Sequence, residues 1–210
     1  LNPIFSIGSQ VAEAIALHQG LRGKSLRQRV LQMLQSVWVA SPELRYHDYP
    51  HQFSGGMRQR IAGAIALSCQ PHLLICDEPT TSLDATIQVQ YLDLLGGLQR
   101  ERDLALIFIT HDLGIVARMC SKVAVMYAGM IVEMAPVRDI FNYPAHPYTR
   151  ALLHSVPHME ERTDKMFSIE GEPPDLINLH PGCAFFPRCV EKIERCLTTQ
   201  QFPPEVNISD

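Results

Sequence analysis

The sequence is poor in several things that would have fixed a class at once. It has one tryptophan, and aromatic residues reach only 7%. No apolar stretch approaches the ~20 residues of a membrane-crossing helix. The longest such run in a strand-like setting is Leu104–Ile109. Basic residues are not in excess: 18 Lys and Arg stand against 22 Asp and Glu, a net charge of −4, so the electrostatic footprint of a nucleic-acid binder is missing. No secretory leader opens the chain, and the first residue is Leu1 rather than Met, which predicts a piece of a longer protein. Internal repeats and low-complexity tracts are absent too. What is present is a globular balance: 46% hydrophobic residues in 210, enough for one core plus a small appendage and too much for wholesale disorder.

Three zones differ in composition. From residue 1 to about 53 the chain reads as helical with loops, because Val11 and Ile15, then Leu26, Val30, Leu34 and Val37, recur at helical spacing. Ser41–Phe53, rich in Pro, His and Tyr, reads as a loop. From 54 to about 140 helix and strand alternate. A helix from near Ser54 through Ile61, Ile65 and Leu67 is closed by Pro71. Leu73–Cys76 is a short buried strand, and Ile87, Tyr91, Leu94, Leu95 and Leu98 mark an amphipathic helix with an awkward Gly96-Gly97 inside it. Leu104–Thr110 is a second buried strand; Val123–Tyr127 and Ile131–Glu133 flank a hairpin turn at Ala128-Gly129. The order predicts an α/β protein with a parallel sheet and a hairpin edge. From about 141 prolines crowd the chain, among them Pro144, Pro147, Pro157, Pro173, Pro174, Pro181, Pro187, Pro203 and Pro204, leaving a short helix near Tyr148–Leu153.

The six cysteines fall into two sets. Cys69, Cys76 and Cys120 sit among apolar residues and read as small buried hydrophobes. Cys183, Cys189 and Cys196, spaced C-x5-C-x6-C, read as a metal or cluster site or a disulfide framework.

One constellation carries chemistry. The strand Leu73–Cys76 delivers Asp77 and Glu78 to its C-terminal end, the edge where open α/β sheets bind ligands. The first carboxylate suits Mg²⁺, and the second can orient or deprotonate an attacking water. Pro79-Thr80-Thr81-Ser82-Leu83-Asp84 leads into the next helix, with Asp84 placed as its N-cap. The second strand ends in Thr110-His111-Asp112, so a parallel neighbour brings His111 to the same edge as Glu78. Upstream, Phe53-Ser54-Gly55-Gly56-Met57 opens a helix with bare N–H groups at its positive end, a ready anion site.

These four motifs, in this order and spacing, resemble an ABC transporter ATPase over residues 1 to about 140. The resemblance implies a partial P-loop NTPase ABC-ATPase core with a parallel sheet, a helical subdomain and a Pro/Cys-rich tail. It implies that Ser54, Gly55, Gly56 and Met57 are the signature contacting ATP held by an opposite subunit, with Phe53 in place of the commoner Leu. Asp77 is then the Walker B ligand of Mg²⁺, Glu78 the catalytic glutamate, Asp84 the D-loop residue at the dimer seam and His111 the switch histidine. Leu1-Asn2-Pro3 with Ile7-Gly8 and Gln10, Tyr49-Pro50-His51-Gln52, and His146-Pro147-Tyr148-Thr149-Arg150 with Pro157 are similar to the oligopeptide, dipeptide and nickel importer branch. Gly182-Cys183 through Cys189, then Cys196, resemble its cysteine module, which implies a [4Fe-4S] cluster in the complete protein with a fourth ligand beyond the three here.

The family also needs G-x-x-x-x-G-K-[ST]. The nearest stretch, His18–Ser25, ends correctly in Gly23-Lys24-Ser25 but has His18 where the first glycine belongs, and helical flanks. The expected organisation is a helical subdomain over 1–60 ending in the signature, the C-terminal part of the ATPase core over 61–140, and the cysteine-bearing module over 141–210. The expected function is the ATP-hydrolysing subunit of a peptide-type importer, acting with a second ABC ATPase subunit and membrane permease subunits at the cytoplasmic face of the membrane, and inactive alone for want of the P-loop. Rival readings are an ABC ATPase outside transport and a non-hydrolysing, truncated partner or cluster-binding module. The transported solute is not encoded in these motifs.

Overall fold

The computed structural model describes residues 1–81, 83–156, 168–179 and 182–198; Ser82, Pro157, Pro181, Pro203 and Pro204 lie outside the described residues. The chain divides into two compact units, Leu1–Ile115 and Val116–Asp210.

The first unit opens with α1 (Ile7–Gln19), capped by the Ser6 hydroxyl accepting from the Ser9 N–H and ended by Gly20 at φ 65°. Helix α2 (Gly23–Ser36) packs on it, and of the predicted stripe Val11, Ile15, Val30, Leu34 and Val37 are buried and Leu26 is half-buried. Each such side chain contributes about 1.5–3 kcal/mol relative to an exposed one. The stretch expected to be loop holds a one-turn helix, α3 (Pro42–Arg45), and a 3-10 turn at Pro50–Gln52. Proline at the first position of each turn costs no hydrogen bond, so the prolines start these turns rather than prevent them. Backbone bonds from Ile7 N–H to Asp48 O (2.9 Å) and Gly8 N–H to Tyr46 O (3.0 Å) tie this stretch to α1.

Helix α4 (Gly55–Ser68) buries Ile61, Ala64 and Leu67. It leads to β1 (Leu73–Asp77), α5 (Ala85–Arg102), β2 (Ala105–Ile109) and α6 (Leu113–Met119), inside which the unit boundary falls. The strands β1 and β2 pair in parallel from Leu73↔Ala105 to Asp77↔Ile109. They are not buried on both faces as expected. Leu74 and Cys76 are covered, whereas Ile75, Ile107 and Ile109 are 59%, 46% and 49% exposed. In α5 the predicted Tyr91, Leu94, Leu95 and Leu98 are buried. Of its two glycines, Gly96 is buried, while a Cβ built at Gly97 meets nothing within 4 Å. Gly97→Ala is therefore expected to raise stability by about 0.5–1 kcal/mol, read from urea melts.

In the second unit, β3 (Lys122–Tyr127) and β4 (Met130–Pro136) form their own antiparallel sheet, not an edge of the parallel one. The turn residues Ala128 and Gly129 have φ 51° and 78°, the primed geometry that matches strand twist. Then come α7 (Val137–Asn142), α8 (Pro147–His154) and, near the end, α9 (Arg195–Thr198). The His146-Pro147-Tyr148 stretch has a local cause: His146 Nδ1 accepts from the Tyr148 N–H, Pro147 occupies the first helical position, and Glu133 accepts from the N–H groups of Ala145 and His146. Burial is the main cause holding the His146 imidazole below its ordinary value, which keeps it a neutral acceptor. Phe185 packs edge to face on Tyr127 and Tyr148, which are tilted against each other, with centroids 4.6 to 5.3 Å apart. Arg188 holds the tail to this cluster, donating to Glu170 O (2.9 Å), Ile169 O (3.0 Å) and the Tyr127 hydroxyl (3.5 Å).

Candidate functional site

The parallel register of β1 and β2 brings the two strand ends level, and the site is built there. The Glu78 N–H donates to Ile109 O at 2.9 Å, carrying the pairing one residue past the strand. Glu78 itself turns into the left-handed region, φ 44°, which re-aims its side chain. Its Oε1 lies 2.8 Å from His111 Nδ1, and its Oε2 accepts from the Thr81 hydroxyl at 2.5 Å. Asp77 is exposed at the end of β1. The expected meeting of Glu78 and His111 is thus present in the geometry.

Both partners are open to solvent, His111 at 77% and Glu78 at 40% of the side chain. The Thr81 hydroxyl first, then His111, hold the Glu78 carboxyl below the ordinary carboxylate range. The Glu78 hydrogen bond raises the His111 imidazole. The pair's stabilisation is fully present below the unfolded imidazole value and lost as pH rises through the raised folded one. On the acid side it is present above the unfolded carboxylate value and lost as pH falls through the lowered one. An NMR titration should place His111 above an ordinary histidine, and Glu78→Gln should return it toward that value.

Around this pair the loops are pinned. Asp84 Oδ1 accepts from the Ile87 N–H at 3.0 Å, so Asp84 caps α5. Asp112 Oδ1 accepts from Gly114 and Ile115, and its Oδ2 from Gln88 Nε2 at 3.2 Å, which ties α5 to the His111 loop. The signature residues form a separate group. The Ser54 hydroxyl accepts from the Met57 N–H at 3.4 Å, and Gly55 and Gly56 form the first turn of α4. A Cβ at Gly56 would lie 2.6 Å from Ile87 Cγ2, so only glycine lets α4 approach α5 there. Among the described residues no hydrogen bond or ion pair joins Ser54, Gly55, Gly56 or Met57 to Asp77, Glu78 or His111.

Sequence reasoning gave no role to Thr81 or Gln88. Thr81 lies three residues after Glu78, the offset of a side chain closing a turn back on itself. Gln88 has no sequence signal, since its partner is 24 residues away.

The tail cysteines are near one another: the Cys183 N–H donates to Cys196 O at 3.1 Å, and burial, with Cys183 and Cys196 as further neighbours, pushes the Cys189 thiol up. Among the described residues, however, no three His, Cys, Asp or Glu side chains are gathered as ligands of one metal. Of the other cysteines, Cys76 is buried, its thiol pushed up to about 11, and Cys120 is half-buried. Cys69 is exposed, against expectation, because it follows the last turn of α4 as its C-cap.

Residues 5–81 match the family described as ABC transporter, and residues 132–196 match the one described as Oligopeptide/dipeptide transporter, C-terminal region. The ATP-binding cassette MJ0796, solved as a dimer in a post-hydrolysis state bound to ADP and Pi, has a TM-score of 0.58 at 26% identity, over 66% of this chain and 59% of that one. The chain therefore carries part of an ABC transporter ATPase domain, followed by the C-terminal region of the oligopeptide/dipeptide branch. It is 49% identical over 196 residues to the dipeptide transport ATP-binding protein DppD of Bacillus subtilis, over 93% of this chain and 58% of that protein. The oligopeptide transport ATP-binding protein OppD of Salmonella typhimurium is 47% identical over the same shares. The chain thus spans about three-fifths of the length of these relatives.

Proposed function

We propose that this chain acts within the ATP-hydrolysing, energy-coupling subunit of a peptide importer, with Glu78 as general base and His111 as the group that turns between Glu78 and the γ-phosphate. The observation that carries this is the Glu78 carboxylate held at one oxygen by His111 and at the other by Thr81. A carboxylate oriented in this way keeps a lone pair on each oxygen free to accept from a water. Thr81 and His111 keep Glu78 ionised, as a base must be. Asp77 offers a hard oxygen at the same strand end, which fits Mg²⁺; that ion, when bound, neutralises phosphate charge. Gly55 and Gly56 present helix-start N–H groups to an anion beside Ser54, and we assign Ser54, Gly55, Gly56 and Met57 to ATP held on the P-loop of a second ABC ATPase subunit. Asp84 stands at that seam.

The proposed division of labour follows the three zones: 1–60 passes closure to membrane permease subunits, 61–140 carries the chemistry, and 141–210 is the branch-specific module. The C-terminal match over 132–196 favours transport over a non-transport ATPase. No helix among the described residues is long and apolar enough to cross a membrane; peripheral attachment at the cytoplasmic face is the place that work with permease subunits implies. The C-x5-C-x6-C spacing supports a [4Fe-4S] cluster only in a form that supplies a further ligand and draws the thiols together. Anaerobic reconstitution with iron and sulfide that leaves the chain colourless removes that reading.

With no G-x-x-x-x-G-K-[ST] in these 210 residues, the chain by itself is expected to bind ATP weakly. Calorimetric titration tests this; micromolar affinity contradicts it.

A further inference from the structure

A cleft of about 500 Å³ opens in the first unit at the end of β1 and β2 opposite to Glu78. Pro71 and His72, just before β1, and Leu104, just before β2, line it, and five-residue strands place it some 16 Å from the carboxylate edge at ~3.3 Å per residue. Two arginines, Arg29 from α2 and Arg102 from the last turn of α5, line the same space as His72. Among the described residues no carboxylate lines it. Pro71 forms its apolar edge, backed by the almost fully buried Leu67 and Leu104.

The loops around the cleft are fixed by their own backbone. Gln70 and Asp103 take φ 51° and 49° at the ends of α4 and α5. Gln70 N–H donates to Leu67 O, Leu104 N–H to Gln99 O and Ala105 N–H to His72 O, at 3.1, 3.2 and 2.9 Å. Within this frame Arg102 Nη1 is buried and has no hydrogen-bond partner among the described residues. Complementing the negative end of α5 accounts for a cation in its last turn. It does not account for a guanidinium nitrogen shielded from water and left unpaired, which is costly unless something accepts from it. Arg29 is engaged only weakly, with Nη1 3.5 Å from Gln32 Oε1.

We propose that this cleft is a second binding site, distinct from the Glu78–His111 edge, for a small organic phosphate whose oxyanion sits between Arg29 and Arg102 and whose apolar body lies against Pro71. Guanidinium forks match phosphate oxygens in pairs, and the lining has the cation, donor and apolar parts such a molecule needs. The site makes no use of the nucleotide chemistry and stands whether or not the chain takes part in ATP turnover.

The test is calorimetric titration of the chain with inorganic phosphate, with phenyl phosphate and with phosphatidic acid vesicles. Phenyl phosphate should bind several-fold more tightly than inorganic phosphate. Arg102→Met and Arg29→Met should each weaken binding at least tenfold, Arg102→Lys should be intermediate, and His111→Ala should leave it unchanged. Melting curves identify any variant that fails to fold, and Arg29→Met carries the test should Arg102→Met do so. The proposal is overturned by no binding, by binding indifferent to both arginines, by binding that disappears with His111→Ala, or by binding to vesicles alone.

Discussion

Glu78→Gln lowers ATP turnover about 10²- to 10⁴-fold, the range of a general base, when the chain is joined to an upstream P-loop segment of a relative. ATP affinity is retained, because the amide keeps the size of the side chain and the phosphates are held elsewhere. The geometry makes the size of this effect specific to the carboxylate. Thr81 donates a hydrogen to Oε2, and a glutamine nitrogen in that position has no lone pair to offer it. The substitution thus removes the base, and the amide keeps the Thr81 contact only by turning its oxygen to Thr81 and its nitrogen to His111. Phosphate release and nucleotide binding, measured on the same preparation, separate the loss of chemistry from a loss of binding. A fall of less than tenfold in turnover would show that Glu78 is not the base.

Gly56→Ala should be the most damaging small change in the signature helix. The added methyl falls 2.6 Å from Ile87 Cγ2 and 3.6 Å from Leu83 Cδ2. Ile87 branches at Cβ and sits in the first turn of α5, so it cannot swing away as a long flexible tip would. We expect a loss of about 1–3 kcal/mol from the forced shift of α4 against α5. Trimming the neighbour tests the cause. Ile87→Ala should restore much of the loss, giving a coupling of about 1 kcal/mol or more in a double-mutant cycle read by urea melts. Additive effects would mean that the two helices do not meet through this contact.

The parts of the fold legible in the sequence were those set by local spacing. Apolar residues at helical intervals located the buried stripes of α1, α2, α4 and α5, and Ala128-Gly129 located the hairpin turn. Short elements begun by a proline or a cap within a polar stretch, such as α3, α6 and α7, were hidden because one or two turns leave no periodic signal. Exposure of Ile75, Ile107 and Ile109 was also invisible, since an apolar run looks the same whether one face or both are covered. At the site, Asp77, Glu78 and His111 followed from strand ends and parallel pairing. Thr81 and the cleft around Arg102 did not, because each depends on where a turn or a helix end directs one side chain.

The central claim is that this chain contributes a signature to a nucleotide held on another subunit. The direct measurement is phosphate release by an intact ABC ATPase subunit of the same branch, with and without this chain. The account predicts stimulation that is abolished by Ser54→Arg, with melting curves confirming the fold, and unaffected by Glu78→Gln, since the base at that composite site belongs to the intact subunit. No stimulation, or stimulation sensitive to Glu78 and indifferent to Ser54, would contradict it.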